Sequence, residues 1–137
     1  IPEYLRWKSI LQGMQNVEYK PMGYCSNEDL MQFYKTQAVN LFISLSAAEG
    51  IPVSMMEAIS FGIPVLSTDV GGCKEIVNEK TGHLIPLSSQ AQEIAKWIEE
   101  FKDSALNTPE YRASVRSYWQ SKFEISANYR LFFEHIK

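Results

Sequence analysis

Cysteine is scarce in this chain of 137 residues: only Cys25 and Cys73 occur, with no CxxC spacing and no histidine placed as a metal partner. That usage argues against a disulfide framework or a zinc site, no signal-peptide pattern is read, and a reducing cytoplasm is the expected compartment. Positive charge is scarce as well. Lys and Arg number 13 against 16 Asp and Glu, giving a formal charge of −3, and the cations form no cluster, so nucleic acid held by phosphate neutralisation is not expected. No run of about eighteen apolar residues occurs, so no membrane-spanning helix is expected, although peripheral attachment stays open. Asp and His never gather at ligand spacing, hence no metal cofactor is expected. No GxGxxG fingerprint is present, which counts against a dehydrogenase-type dinucleotide fold, and internal repeats and low-complexity segments are missing too.

What is there is a composition 45% apolar and 21% charged, enough for a hydrophobic core in one domain of ordinary size. The chain opens with IPEYLRWKSILQGM, whose Tyr4, Trp7, Leu11 and Met14 share a helical stripe, and without an initiating methionine it reads as a piece of something longer. Val17 to Lys20 forms a short candidate strand stopped by Pro21, after which Ser26 or Asn27 caps a helix. Val39 to Leu45 is a continuous apolar, β-rich run of the kind parallel sheets bury on both faces, and is expected as the central strand. Pro52 is expected at the first position of the next helix, which Gly62 stops and Pro64 keeps from resuming. IPVLSTD is a second buried strand, GGCKEIVNE a helical turn or two, and GHLIPL a third strand closed by Pro86. From there the pattern is helical, with apolar stripes through Ala91–Phe101, Tyr111–Trp119 and Ile125–Ile136 that read as packing surfaces. Strands alternating with helices imply a parallel, doubly wound α/β sheet.

The stretch SAAEGIPVSMMEAISFGIPVLSTDVGG places Glu49 ahead of a helix start and Glu57 one turn inside it. Open parallel sheets bind ligands beyond the carboxyl ends of their strands, where helix N-termini point. Here the amides of Val53, Ser54 and Met55 would face an anion such as phosphate, and the Ser54 hydroxyl adds a donor. A carboxylate only accepts hydrogen bonds and has two oxygens, so it matches adjacent sugar hydroxyls. Two acids around an anion site repel a bare phosphate but suit a molecule with phosphate in its middle and a hydroxylated ring at each end, the layout of a nucleotide sugar. On spacing alone, Glu49 as a partner of the helix dipole and Glu57 as a solvated surface residue fit equally well.

The words EGIPVSMMEA and FGIPVLSTDVGG, with an acid at Glu75, resemble the C-terminal domain of family 4 retaining glycosyltransferases, which have the GT-B architecture. The likeness runs from about Val17 to the end and includes, in order, the Glu-x7-Glu element, the Gly-x-Pro turn, a serine two residues after that proline, the Gly-x-Pro-Val strand and the double glycine. It implies a Rossmann-like donor-binding half that transfers a sugar from a UDP- or GDP-linked donor to a saccharide or lipid-linked acceptor, as in bacterial surface polysaccharide assembly. Glu49 would meet the hydroxyls of the transferred sugar, the amides of Gly50, Ile51 and Val53 the sugar and diphosphate, and Glu57 the ribose. The turn Met22-Gly23-Tyr24 would lie beside the base. The nucleotide sugar is a substrate, so no cofactor is implied. A cytoplasmic protein is expected, with peripheral attachment to the cytoplasmic membrane face left open.

Several positions stand apart from that carry-over. Gly71 and Gly72 permit a close backbone approach, for the fold or for a ligand; Lys74 and Glu75 read as packing or surface residues, and His83 as a strand-edge histidine rather than a base. Asn40 stands where the family usually has an acid. Relatives also carry an Arg and a Lys after the first strand, to neutralise the leaving diphosphate, and an N-terminal acceptor domain; neither is in this chain, so by itself it is expected to have little or no transferase activity. A module that binds nucleotide sugar without transferring it fits the same residues. Under the family strand order 3-2-1-4-5-6 the chain supplies strands 3 to 6, as one partial domain: residues 1–122 with the sheet, and 123–137 as a helix crossing to the N-terminal domain. The gap would be closed by the Val17 strand, by strands from outside the sequence, or by another copy.

Overall fold

Apolar, β-rich words separated by helix-capping signals do fold as a parallel sheet with helices between its strands. The computed structural model describes residues 3–50 and 52–124; the expected helix over 125–136 lies outside them. Two units are distinguished, Ile1–Gln32 and Phe33–Lys137.

In the first unit α1 covers Glu3–Gln12, with Leu5, Ile10 and the following Met14 exposed. α2, Asn27–Thr36, has its first residues in this unit and residues 33–36 in the second; it begins on Ser26, whose hydroxyl accepts from the Asp29 amide at 3.1 Å while the Asp29 carboxylate accepts from the Ser26 amide at 3.4 Å. This reciprocal pair is a capping box with Asp in the place of Glu. The strand expected at Val17 to Lys20 does not form: the segment has no regular secondary structure and is exposed throughout. A strand persists only when a neighbour completes its hydrogen-bond ladder, and among the described residues none does so for this segment.

The second unit holds the sheet. β1 (Phe42–Ser44), β2 (Val65–Thr68) and β3 (Gly82–Ile85) lie in the order β1-β2-β3, both pairs parallel, with Phe42 opposite Val65 and Val65 opposite Gly82. β2, not β1, is therefore central. All four β2 residues are buried, whereas Ile43 on β1 and Leu45 just beyond it are 42% and 49% exposed. The apolar run from Val39 correctly marked a strand, but its place in the sheet depends on which strands pair with it, and hydrophobicity does not encode that.

α3, Val53–Ser60, connects β1 to β2. It ends in a Schellman motif: the Gly62 amide donates to the Ile59 carbonyl at 3.0 Å and the Ile63 amide to the Ala58 carbonyl at 3.1 Å, with Gly62 at φ +74°. α4 (Cys73–Ile76), α5 (Ala91–Phe101), a 3₁₀ turn (Ala105–Asn107) and α6 (Pro109–Lys122) follow. Thr108 caps α6 by accepting from the Tyr111 amide at 3.2 Å. The core joins Met55, Ala58 and Ile59 of α3 to Val65, Cys73, Ile76, Val77 and Val115 of α6, and its burial fixes the direction in which α3 points. His83 is exposed on β3, an edge strand of the described sheet, the strand-edge place expected for it, and its ring stacks on Trp97 at 5.2 Å, with Trp97 stacked in turn on Phe101. No helix among the described residues is long and apolar enough to cross a membrane.

Candidate functional site at the mouth of the third helix

The mouth of α3 opens beyond the carboxyl end of β1. Pro52 stands at the N-cap, with φ −80° and ψ 94°, rather than at the first helical position. Its carbonyl accepts from the Met55 amide at 3.1 Å and the Met56 amide at 3.4 Å. Met55 is thus not a free donor as expected, and the leading amides, which helix geometry leaves without intrahelical acceptors, are those of Val53 and Ser54. Core residues do not plug this end: Val53 is 61% exposed although apolar, and Ser54 is exposed beside it.

Glu49 and Glu57 are both half-buried. Tyr34, from α2, senses Glu57: its phenol is held above its ordinary range, first by burial and second by the Glu57 charge. The Tyr34 ring packs on Phe61 at 5.5 Å, so an aromatic wall stands close to the carboxylate on the side of α2. Gly50 has φ outside the left-handed region, and a Cβ added there would meet nothing within 4 Å. Among the described residues, neither backbone conformation nor packing calls for glycine at this position.

Gly71 is the opposite case. With φ +51°, a Cβ on it would stand 1.6 Å from the Glu49 carbonyl oxygen and 2.7 Å from the Glu49 carbonyl carbon. The Gly72 amide donates to the Gly50 carbonyl at 3.0 Å, and the Thr68 hydroxyl donates to the Ser46 carbonyl at 2.5 Å. The loop after β2 is therefore laid on the loop that carries Glu49. Sequence reasoning left Gly71 and Gly72 between fold and ligand, and missed Thr68 and Tyr34 altogether; a polar residue ending a buried strand was the signal available for Thr68.

Of the remaining expected site residues, Gly23 and Tyr24 belong to the first unit, Gly23 at φ +62° with open space at its Cβ position and Tyr24 96% exposed. Ile51 lies outside the described residues. The structure thus brings Glu49, Gly50, Val53, Ser54 and Glu57 to one short loop and helix start.

A parallel α/β sheet with an open helix N-terminus beyond the carboxyl end of a strand defines the class of α/β proteins whose ligands are received at that end of the sheet. The sequence matches the family Glycosyl transferases group 1 over residues 8–121, and the chain belongs to that family. It is 25% identical over 115 residues to the amylovoran biosynthesis glycosyltransferase AmsK of Erwinia amylovora, covering 81% of this chain and 28% of that one. To the O-antigen biosynthesis glycosyltransferase WbnH of Escherichia coli it is 40% identical over 70 residues, covering 48% of this chain and 20% of that one. Among solved structures, sucrose-phosphate synthase from Thermosynechococcus elongatus superposes with a TM-score of 0.70 at 26% identity, over 97% of this chain and 35% of that one. The fold is thus that of a Rossmann-like half of a GT-B glycosyltransferase. The chain spans about a quarter of the length of the curated relatives it matches.

Proposed function

We propose that this chain is the donor-binding half of a retaining glycosyltransferase that moves a sugar from a UDP- or GDP-linked donor to a saccharide or lipid-linked acceptor in surface polysaccharide assembly. Family membership supports the reaction class, and the relatives' names, amylovoran and O-antigen biosynthesis, support the acceptor class. The observation that carries the reading is the open mouth of α3, with Val53 and Ser54 exposed and Glu49 and Glu57 on either side of them in sequence.

In this reading the amides of Gly50, Ile51 and Val53, with Ser54, receive the diphosphate and the sugar next to it. Glu57 accepts from the ribose hydroxyls, Glu49 accepts from hydroxyls of the transferred sugar, and Gly23 and Tyr24 serve the base. The chemistry is positioning and leaving-group stabilisation, without a resident metal or cofactor. In this reading the protein works in the cytoplasm, peripheral to the membrane where the acceptor is lipid-linked.

Calorimetric titration of UDP, GDP, UDP-glucose and GDP-mannose into the protein and its Glu49→Gln and Glu57→Gln variants tests the assignment. Each substitution removes a charge-assisted acceptor, so an affected ligand should bind about 10- to 100-fold more weakly. Glu57→Gln should weaken every nucleotide that binds, and Glu49→Gln only the sugar-bearing ones. Equal losses for UDP or GDP from both changes, or no binding of any of the four by the unaltered protein, would refute it.

A further inference from the structure

The loop that follows β2 grips the loop that carries Glu49 at three successive points. The Thr68 hydroxyl holds the Ser46 carbonyl, the Gly72 amide holds the Gly50 carbonyl, and between them the Gly71 Cα lies flush on the Glu49 carbonyl. These contacts bracket Glu49 in sequence and use its backbone, leaving its carboxylate to other work. The gripping loop is anchored at both ends: β2 is buried along its whole length, Thr68 itself being 5% exposed, and Cys73 and Ile76 of α4 are at 0% and 1%. By contrast, the gripped side offers Gly50, exposed, and Ala47 and Ala48, also exposed, with few side chains that could fix it by packing.

We propose that Thr68, Gly71 and Gly72 are positioning residues for Glu49, a clasp that transmits the rigidity of the central strand to the carboxylate that meets the transferred sugar. The inference rests on the donor-site reading of Glu49. Any side chain at Gly71 forces the two loops apart, because a Cβ 1.6 Å from a backbone oxygen must move by about 1.5 Å to reach van der Waals separation. Displacing the Glu49 carboxylate forfeits its charge-assisted hydrogen bonds to the sugar, a loss of about 10- to 100-fold in affinity. Loss of the Thr68 hydroxyl is milder, since it frees one tether of three.

The test compares Gly71→Ala, Thr68→Val and Thr68→Ser with Glu49→Gln, titrating the same four nucleotides and following hydrogen exchange of residues 44–50. Gly71→Ala, which also shifts Gly50, should weaken every nucleotide that binds and the sugar-bearing ones most; Thr68→Val, which frees only the Ser46 tether, should weaken the sugar-bearing nucleotides about tenfold, with UDP and GDP within about threefold of the unaltered protein. Thr68→Ser, which keeps the hydroxyl, should restore binding, and exchange over 44–50 should quicken in the first two variants only. If Gly71→Ala does not fold, the Thr68 pair decides. In Thr68→Val, losses shared equally by bare and sugar-bearing nucleotides would overturn the clasp, as would Thr68→Ser behaving like Thr68→Val or unchanged exchange over 44–50. A Glu49→Gln protein that does not discriminate the two ligand kinds would instead overturn the donor-site reading beneath it, while quickened exchange would still report the tether itself.

Discussion

Replacing Thr81 by valine should destabilise the fold more than replacing it by serine, although valine preserves the shape and serine does not. Thr81 is fully buried in the connection from α4 to β3. Its hydroxyl donates to the Ile76 carbonyl at 2.7 Å and accepts from the Asn78 amide at 3.0 Å, satisfying both sides of the turn that delivers Gly82 against β2. Valine removes both partners at once. A buried carbonyl left unpaired costs about 1–3 kcal/mol and the partly buried amide about 1 kcal/mol, so the loss should be about 2–4 kcal/mol. Serine keeps both hydrogen bonds and deletes one methyl, worth about 1 kcal/mol. Urea unfolding followed by circular dichroism reads the difference directly, provided the slopes against denaturant agree among the three proteins. A valine variant as stable as the serine variant, or more so, would refute the claim that hydrogen bonding rather than packing holds this turn.

Alkaline pH should weaken the fold through Tyr111, whose phenol is pushed up to about 12 by burial first and by the Glu79 charge second. A raised folded-state pKa means full stability below the unfolded value near 10 and progressive loss as pH climbs toward 12, because the unfolded chain releases its proton first; Tyr111→Phe should flatten that part of a stability curve measured from pH 9 to 12, and an unchanged slope contradicts the assignment. Gly62→Ala should cost at least about 1–2 kcal/mol for the left-handed conformation alone, and more in total because its Cβ would sit 2.6 Å from the Arg112 carbonyl oxygen of α6; a change below about 0.5 kcal/mol in urea unfolding, the range of neutral surface substitutions, would show that the helix end repacks freely. Gly50→Ala should behave in the reverse way, leaving stability within about 0.5 kcal/mol while weakening nucleotide-sugar binding in calorimetry, since among the described residues nothing occupies the space its Cβ would take; undiminished binding would remove Gly50 from the site.

Local signals in the sequence were read with success where the chain itself enforces them. Gly62 and Pro64 had to end α3, because a left-handed residue followed by a residue without an amide hydrogen leaves the helix no continuation. Val65–Thr68 and Gly82–Ile85 formed strands because β-rich words between turn residues have a neighbour on hand in the same unit. Val17 to Lys20 looks similar as a word, yet it has no ladder to join, and strand propensity without a partner does not make a strand. Pro52 slipped by one position, to the N-cap, and with that slip the Met55 amide passed from the mouth of the helix to the Pro52 carbonyl. The error is small in sequence and large in chemistry, since it changes which amides face outward.

Glu49, Gly50, Val53, Ser54 and Glu57 could be found as a group because they are neighbours in sequence and one helix start brings them together. The clasp could not, since Ser46 and Thr68 are joined by sheet register. Ser44 pairs with Ser67 in parallel, so the two chains leave the sheet side by side at the same end, and the residues just beyond, Ser46 with Thr68 and then Glu49 and Gly50 with Gly71 and Gly72, must either touch or diverge. Gly71 in the second loop lets them touch. Once that pairing is fixed, Gly71 ceases to be an ambiguous turn signal: its lack of a side chain is what lets the loop after a buried strand lie on the loop that carries the half-buried Glu49.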